Sequence, residues 1–108
     1  MMKKIGIDIV AVKRIKLKPR MIELILHPDE IKILSTRLTK NSKREFLAGR
    51  WAVKEAIIKT LPSPIAMNQI NIGYIDQKPS LKNSKFGEII VSISHEKRYA
   101  VGMALKKD

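Results

Sequence analysis

The stretch Phe46–Leu61 constrains the fold more than any other part of this chain. Placed on a helix, Phe46, Leu47, Trp51, Val53, Ala56, Ile57, Ile58 and Leu61 cover most of the circumference. A helix that is apolar nearly all round has to be covered on several sides. With 108 residues in total, the chain is too short to build two independent cores, because small folds bury a smaller share of their surface. The expectation is one domain, residues 1–108, arranged around this helix. Its start is expected at about Lys43, capped by Asn41-Ser42, and its end at Leu61, stopped by Pro62 and Pro64.

The flanking segments supply the cover. Lys4–Val12 alternates as a strand, with Ile5, Ile7 and Ile9 on one face and Gly6, Asp8 and Val10 on the other. Lys13–Lys18 is a basic link, Pro19 opens a short helix through Leu26, and His27-Pro28-Asp29-Glu30 reads as a second helix start. After the long helix the pattern turns β-like. Ile70–Ile75 reads as a strand, Lys78-Pro79-Ser80 as a loop, and Glu88–Ser94 with Tyr99–Leu105 as a hairpin around His95–Arg98. The fold class is therefore α+β: an antiparallel sheet packed against one long buried helix and shorter helices.

Several polar residues interrupt this apolar frame. Glu55 and Lys59 lie one helical turn apart, beside the small residues Ala48 and Ala52, which let another group approach the helix backbone. Taken alone, Glu followed by Lys four residues later is a common surface pair worth roughly 0.2–0.5 kcal/mol. On a mostly buried helix, however, charges need partners. Arg50 and Lys54 point to another side, toward a second charged partner or solvent. Asp8, an acid in a strand otherwise suited to the core, must be solvated, paired with a cation or bound to a metal. Asp8 and Glu55 together suit a Mg²⁺ that keeps several waters and takes its other ligands from a polyphosphate, which Lys59 would meet as well.

Other chemistries are excluded or disfavoured. There is no cysteine, so thiolate zinc sites, disulfides and a Cys nucleophile are out, and a cytosolic setting suits the chain. His27 and His95 have no metal-ligand spacing. No Walker-type glycine loop occurs, and Ser92-Ile93-Ser94-His95 lacks the G-x-S-x-G elbow of serine hydrolases. The longest apolar runs are broken by Glu23 or His27-Pro28, far short of a membrane span. Asp8 and Lys13-Arg14 interrupt any signal-peptide core after the basic start at Met1-Met2-Lys3-Lys4. The net charge of +12 lies mainly in residues 1–54, which carry 14 Lys+Arg against 5 Asp+Glu. That imbalance suggests a polyanionic partner, unless it only follows a lysine-rich composition.

Three blocks resemble a known family: Gly6-Ile7-Asp8-Ile9-Val10, Phe46-Leu47-Ala48-Gly49-Arg50-Trp51-Ala52-Val53-Lys54-Glu55-Ala56 with Lys59, and Ser92-Ile93-Ser94-His95-Glu96 with Tyr99-Ala100. They are similar to the signature blocks of holo-acyl-carrier-protein synthases, the small class of 4′-phosphopantetheinyl transferases, in the family's order. The resemblance implies transfer of the phosphopantetheine arm of coenzyme A to a serine of apo acyl carrier protein, releasing adenosine 3′,5′-bisphosphate. It implies Asp8 and Glu55 as Mg²⁺ ligands and Lys59 at the phosphate under attack. Ser94 and His95 would contact the phosphates or nucleotide of coenzyme A, and Arg50 with Lys43 and Arg44 its 3′-phosphate. It also implies a homotrimer with sites between subunits. The serine proton would go to Glu55 or to a metal-bound water. Arg14, Lys16, Lys18 and Arg20 would steer the acidic carrier protein. The segment between Arg14 and Met21 is shorter than the family's usual one, and the basic residues before Phe46 are shifted. Two other readings compete: a nucleic-acid-binding module, against which only 5% of residues are aromatic, and an inactive scaffold that binds coenzyme A or a carrier protein without turnover.

Overall fold

Thr39, not Asn41-Ser42, caps the central helix. In the computed structural model, which describes residues 3–107, the Thr39 hydroxyl accepts from the Ser42 backbone N–H at 3.0 Å and the Thr39 N–H donates to Ser42 Oγ at 3.2 Å. This reciprocal box starts the helix earlier than expected, and Ser42 is its inner partner. The helix runs Lys40–Ile58 and Lys59 closes it. Met1 and Met2, the first residues of the basic start, lie outside the described residues, as does Asp108.

The elements follow in the order β1 (Lys3–Ala11), α1 (Pro19–Ile25), α2 (Pro28–Leu34), α3 (Lys40–Ile58), β2 (Ile72–Ile75), β3 (Lys78–Leu81), β4 (Ile89–His95) and β5 (Tyr99–Lys107). Strands β1, β5 and β4 form an antiparallel sheet in that order, and the β4–β5 hairpin stands where the alternation predicts it. The expected loop at Lys78-Pro79-Ser80 is instead strand β3, paired with β2 so that Pro79 faces Tyr74. A proline is tolerated there because the pair forms its own two-stranded sheet, where an edge strand need not donate every N–H. Asp76 and Gln77 turn the chain between them with positive φ, 50° and 65°, the backbone of a tight hairpin turn.

The main sheet faces the opposite way from what its isoleucines suggest. Ile5, Ile7 and Ile9 point outward and are 58–62% exposed, whereas Gly6, Asp8 and Val10 face α3. The inner rows are Gly6 with Ala104, Asp8 with Gly102 and Val10 with Ala100. Small residues are required here because the helix backbone lies directly on the sheet. A Cβ at Gly102 would stand 2.2 Å from the Val53 nitrogen, and one at Gly6 would stand 1.9 Å from the Ala56 carbonyl oxygen. Ala48, Ala52 and Ala56 complete the contact, all fully buried.

The other side of α3 carries a buried ionic cluster. Glu30, near the start of α2, accepts from Arg50 Nε at 2.8 Å and from Lys54 Nζ. Arg50 also donates to the Ile72 carbonyl at 3.3 Å, and Lys54 to those of Ile25 at 2.7 Å and Met67 at 3.0 Å. The second charged partner expected for Arg50 and Lys54 is thus Glu30. The cluster ties the end of α1, the start of α2, β2 and the Met67 turn to one helix. Burial pulls the Lys54 ammonium from its ordinary 10.5 down to about 8; the Glu30 carboxylate opposes the fall and Arg50 adds to it.

Two outcomes test this packing. Gly102→Ala, forced against the Ala52–Val53 backbone of α3, should lose more than about 3 kcal/mol of stability, while Gly49→Ala, which meets only the Ile93 side chain, should stay within about 1 kcal/mol; urea denaturation reads both. Between pH 8 and 10.5 the unfolded chain holds the Lys54 proton that the fold releases. This group therefore makes the fold gain stability as pH rises through that window. The stability of the wild type relative to Lys54→Met should rise over the same range.

Candidate active site

Asp8 reaches the end of α3 because the helix rests on Gly102, its register partner, and on Gly6, its neighbour on the same face. Lys59, closing the helix, lies over β1: its Nζ donates to the Ile7 carbonyl at 2.7 Å and stands 3.8 Å from Asp8 Oδ1. Glu55 lies one turn before Lys59 on the same face and is half-buried. Among the described residues its carboxylate has no protein partner. Asp8 is 27% and Lys59 53% exposed, so this trio opens to solvent rather than forming a closed core pair. Lys59 thus stands beside Asp8, and Glu55 lies one helical turn away on α3. No helix among the described residues is long and apolar enough to cross a membrane.

A second group lies farther up the helix. Between α3 and the end of β4 is a cavity of about 270 Å³ lined by, among others, Arg37, Glu45, Phe46, Arg50, Tyr74 and His95. The Arg50 guanidinium stands 4.4 Å over the Phe46 ring and 5.2 Å from that of Tyr74, with Arg37 at 5.1 Å from Phe46. Arg50 is only 3% exposed and is held by Glu30, so what it offers the cavity is a fixed charge. His95 Nδ1 lies 2.8 Å from Glu45 Oε1. Arg37, Glu45 and Tyr74 were not anticipated. Glu45 directly precedes the Phe46 block, but an acid in the early turns of a helix reads first as a complement to its dipole.

A third group is a groove of about 670 Å³ whose lining includes Lys13, Lys16, Lys18, Lys40, Arg44 and Lys97, with no acid in the lining among the described residues. Arg14 stacks on Trp51 at 4.8 Å and Arg20 is exposed on α1.

The expected residues are therefore sorted into separate places. Lys59 stands beside Asp8 with Glu55 one helical turn before it, and Arg50 and His95 share the cavity. Arg44 joins Lys16 and Lys18 in the groove instead of Arg50, because it lies on another side of α3. Lys43 is half-buried and lines neither space. Ser94 faces away from His95: strand alternation sends it, exposed, to the outer face beside Val101, while His95 turns toward α3. Glu45 and Glu55 are separated by about 15 Å of helix at ~1.5 Å per residue, so the cavity and the carboxylates are distinct stations along one rod.

Comparison with known proteins gives this arrangement its context. A model of the 4′-phosphopantetheinyl transferase superfamily matches residues 4–104. The holo-[acyl-carrier-protein] synthase of Mycoplasma capricolum is 58% identical over 107 residues, covering 99% of this chain and 96% of that protein. Among solved structures, a holo-(acyl-carrier-protein) synthase from Bacillus anthracis in complex with CoA (3′,5′-ADP) superposes with a TM-score of 0.84 at 34% identity, covering 94% of this chain and 92% of that one. The Neisseria meningitidis enzyme of the same name gives 0.83 at 26% identity, covering 96% and 97%. With a family model matched over residues 4–104, a relative 58% identical across nearly the whole chain and the fold shared with solved members, this chain belongs to the holo-[acyl-carrier-protein] synthases of the 4′-phosphopantetheinyl transferase superfamily.

Proposed function

We propose that this chain, acting as a single cytoplasmic transferase domain, moves the 4′-phosphopantetheine arm of coenzyme A onto a serine of apo acyl carrier protein, the step that readies the carrier for fatty acid biosynthesis. The observation that supports the reading is Lys59 standing 3.8 Å from Asp8 where α3 meets the sheet, with Glu55 one helical turn before it. The serine oxygen bonds to the phosphorus that bears the pantetheine arm. The bond from that phosphorus to the oxygen leading to the nucleotide breaks, and adenosine 3′,5′-bisphosphate leaves. Such transfer is mostly positioning and charge neutralisation.

The donor set at Asp8 suits Mg²⁺. It offers hard oxygen ligands, and among the described residues no group of three or more His, Cys, Asp or Glu could hold a metal by itself. Two carboxylates leave most positions of an octahedral ion to water and phosphate, as this ion prefers. Bound there, Mg²⁺ would supply charge neutralisation at the pyrophosphate. Lys59, its Nζ already on the sheet side of the helix end, neutralises the phosphate under attack, and the serine proton passes to the Glu55 carboxylate or to water. Arg50 and His95 receive the nucleotide end.

Two further parts of the reading rest on surface chemistry. The basic groove extends the link at Lys16 and Lys18 with Lys13, Lys40, Arg44 and Lys97, a surface that attracts an acidic carrier protein. The outward sheet face exposes Ile5, Ile7, Ile9, Ile90, Tyr99 and Met103. An apolar patch of that kind marks an interface between proteins, which supports a homotrimer.

Intact-mass spectrometry of an apo acyl carrier protein incubated with this protein, coenzyme A and Mg²⁺ should show a phosphopantetheine mass gain that a chelator abolishes. Asp8→Asn and Glu55→Gln should each lower turnover by about a thousandfold or more without changing the thermal midpoint much; near-normal rates in both would refute the metal assignment. Charge reversal at Lys40 and Arg44 should slow carrier-protein association about tenfold at low salt and flatten its salt dependence, measured by stopped-flow. A carrier on-rate that does not respond to salt would rule out steering by the groove.

A further inference from the structure

The cavity between α3 and β4 is cationic, yet one carboxylate lines it. Glu45 is its sole acidic lining residue, beside Arg37, Arg50 and His95. A free carboxylate there would repel any anion that the cations attract. Glu45 forms no ion pair with either arginine among the described residues; its Oε1 lies 2.8 Å from His95 Nδ1.

We propose that Glu45 is a positioning residue for His95: it takes up the Nδ1–H and turns the Nε2 edge of the imidazole toward an anionic phosphate in the cavity. The inference rests on the reading above, in which His95 meets the phosphates of coenzyme A.

Three observations carry it. His95 is the last residue of β4, next to the hairpin turn, and its side chain is 49% exposed, so nothing in its own strand fixes the ring. Glu45 belongs to α3, the longest and best-anchored element, and its side chain is only 22% exposed. The other acid near the imidazole, Glu96, is already engaged: its Oε1 accepts the backbone N–H groups of Arg98 at 2.7 Å and Tyr99 at 2.8 Å. Glu45 is thus the carboxylate that sets the ring. An imidazole bonded through one nitrogen presents the other in a defined direction. Protonated, it gives Nδ1–H to the carboxylate and Nε2–H to a phosphate oxygen, a charge-assisted bond at each edge.

The test is steady-state kinetics with coenzyme A and apo acyl carrier protein, alongside calorimetric binding of adenosine 3′,5′-bisphosphate. Glu45→Leu should raise the KM for coenzyme A and the Kd of the bisphosphate about tenfold, with a much smaller change in kcat. Glu45→Gln, whose carbonyl oxygen still accepts the Nδ1–H, should recover most of the loss. In a His95→Ala background Glu45→Leu should add nothing, because its effect runs through the ring. Ring ¹⁵N spectra of the ligand-free folded proteins, taken at a pH high enough to leave the ring neutral, should show the Nδ1-protonated tautomer in the wild type and its loss in Glu45→Leu. A KM that falls in Glu45→Leu would mean that the carboxylate only repels the ligand and would overturn the proposal. So would equal losses in the presence and absence of His95, or an unchanged tautomer. If His95→Ala raises KM while Glu45→Leu does not, only the positioning role fails. If His95→Ala itself leaves coenzyme binding unchanged, the coenzyme reading of His95 fails with it.

Discussion

The contact of helix backbone on sheet at Gly6 and Gly102 determines most of what this protein looks like. With no side chains between them at these two points, α3 and the β1–β5 pair approach until peptide groups touch, and the residues around the contact are small: Ala48, Ala52 and Ala56 on the helix, Ala100 and Ala104 on the sheet. That closeness displaces the large isoleucines of β1 to the outer face. It also brings the end of the helix low enough over β1 for Lys59 to bond the Ile7 carbonyl and stand beside Asp8. Packing and site come from a single steric condition.

The opposite side of α3 obeys a different rule. Glu30, Arg50 and Lys54 are all removed from water, an arrangement whose desolvation is tolerable only because the three charges bond one another and nearby carbonyls. Carbonyls of Ile25, Met67 and Ile72 complete the set, which cross-links segments far apart in sequence. This makes Arg50 a fixed charge at the wall of the cavity rather than a mobile arm. Its guanidinium stands over the Phe46 ring while bonding Glu30 and the Ile72 carbonyl, a combination that the point charge of a lysine would not reproduce.

Much of this was legible in the sequence, and the exceptions share a cause. The buried helix, the first strand, the hairpin and the trio Asp8, Glu55 and Lys59 all follow from periodicity or from motif resemblance, both of which are local. What the sequence left open was decided by distant partners. The isoleucine face of β1 is outward because of glycines on β1 and β5 that meet α3, and Glu30 claims Arg50 from twenty positions away. Pro79 sits in a strand because Tyr74 lies across from it. Arg44 faces the groove, and Ser94 the outer surface, because of helix rotation and strand parity, and neither can be judged from residue type alone. Glu45 escaped notice because its partner is at the far end of another strand.

The outward face of β1 has a consequence for the newly made chain. In the order β1-β5-β4, β1 is an edge strand, nine residues long, with three isoleucines in a row on one side. A long, apolar edge is a template onto which other strands can pair. Lys3 and Lys4 place charge at one end of it, a common guard against such pairing, but Ile7 and Ile9 lie beyond their reach along the strand. While that face is bare, each chain carries its own aggregation hazard, one that grows with the concentration of free chain after synthesis.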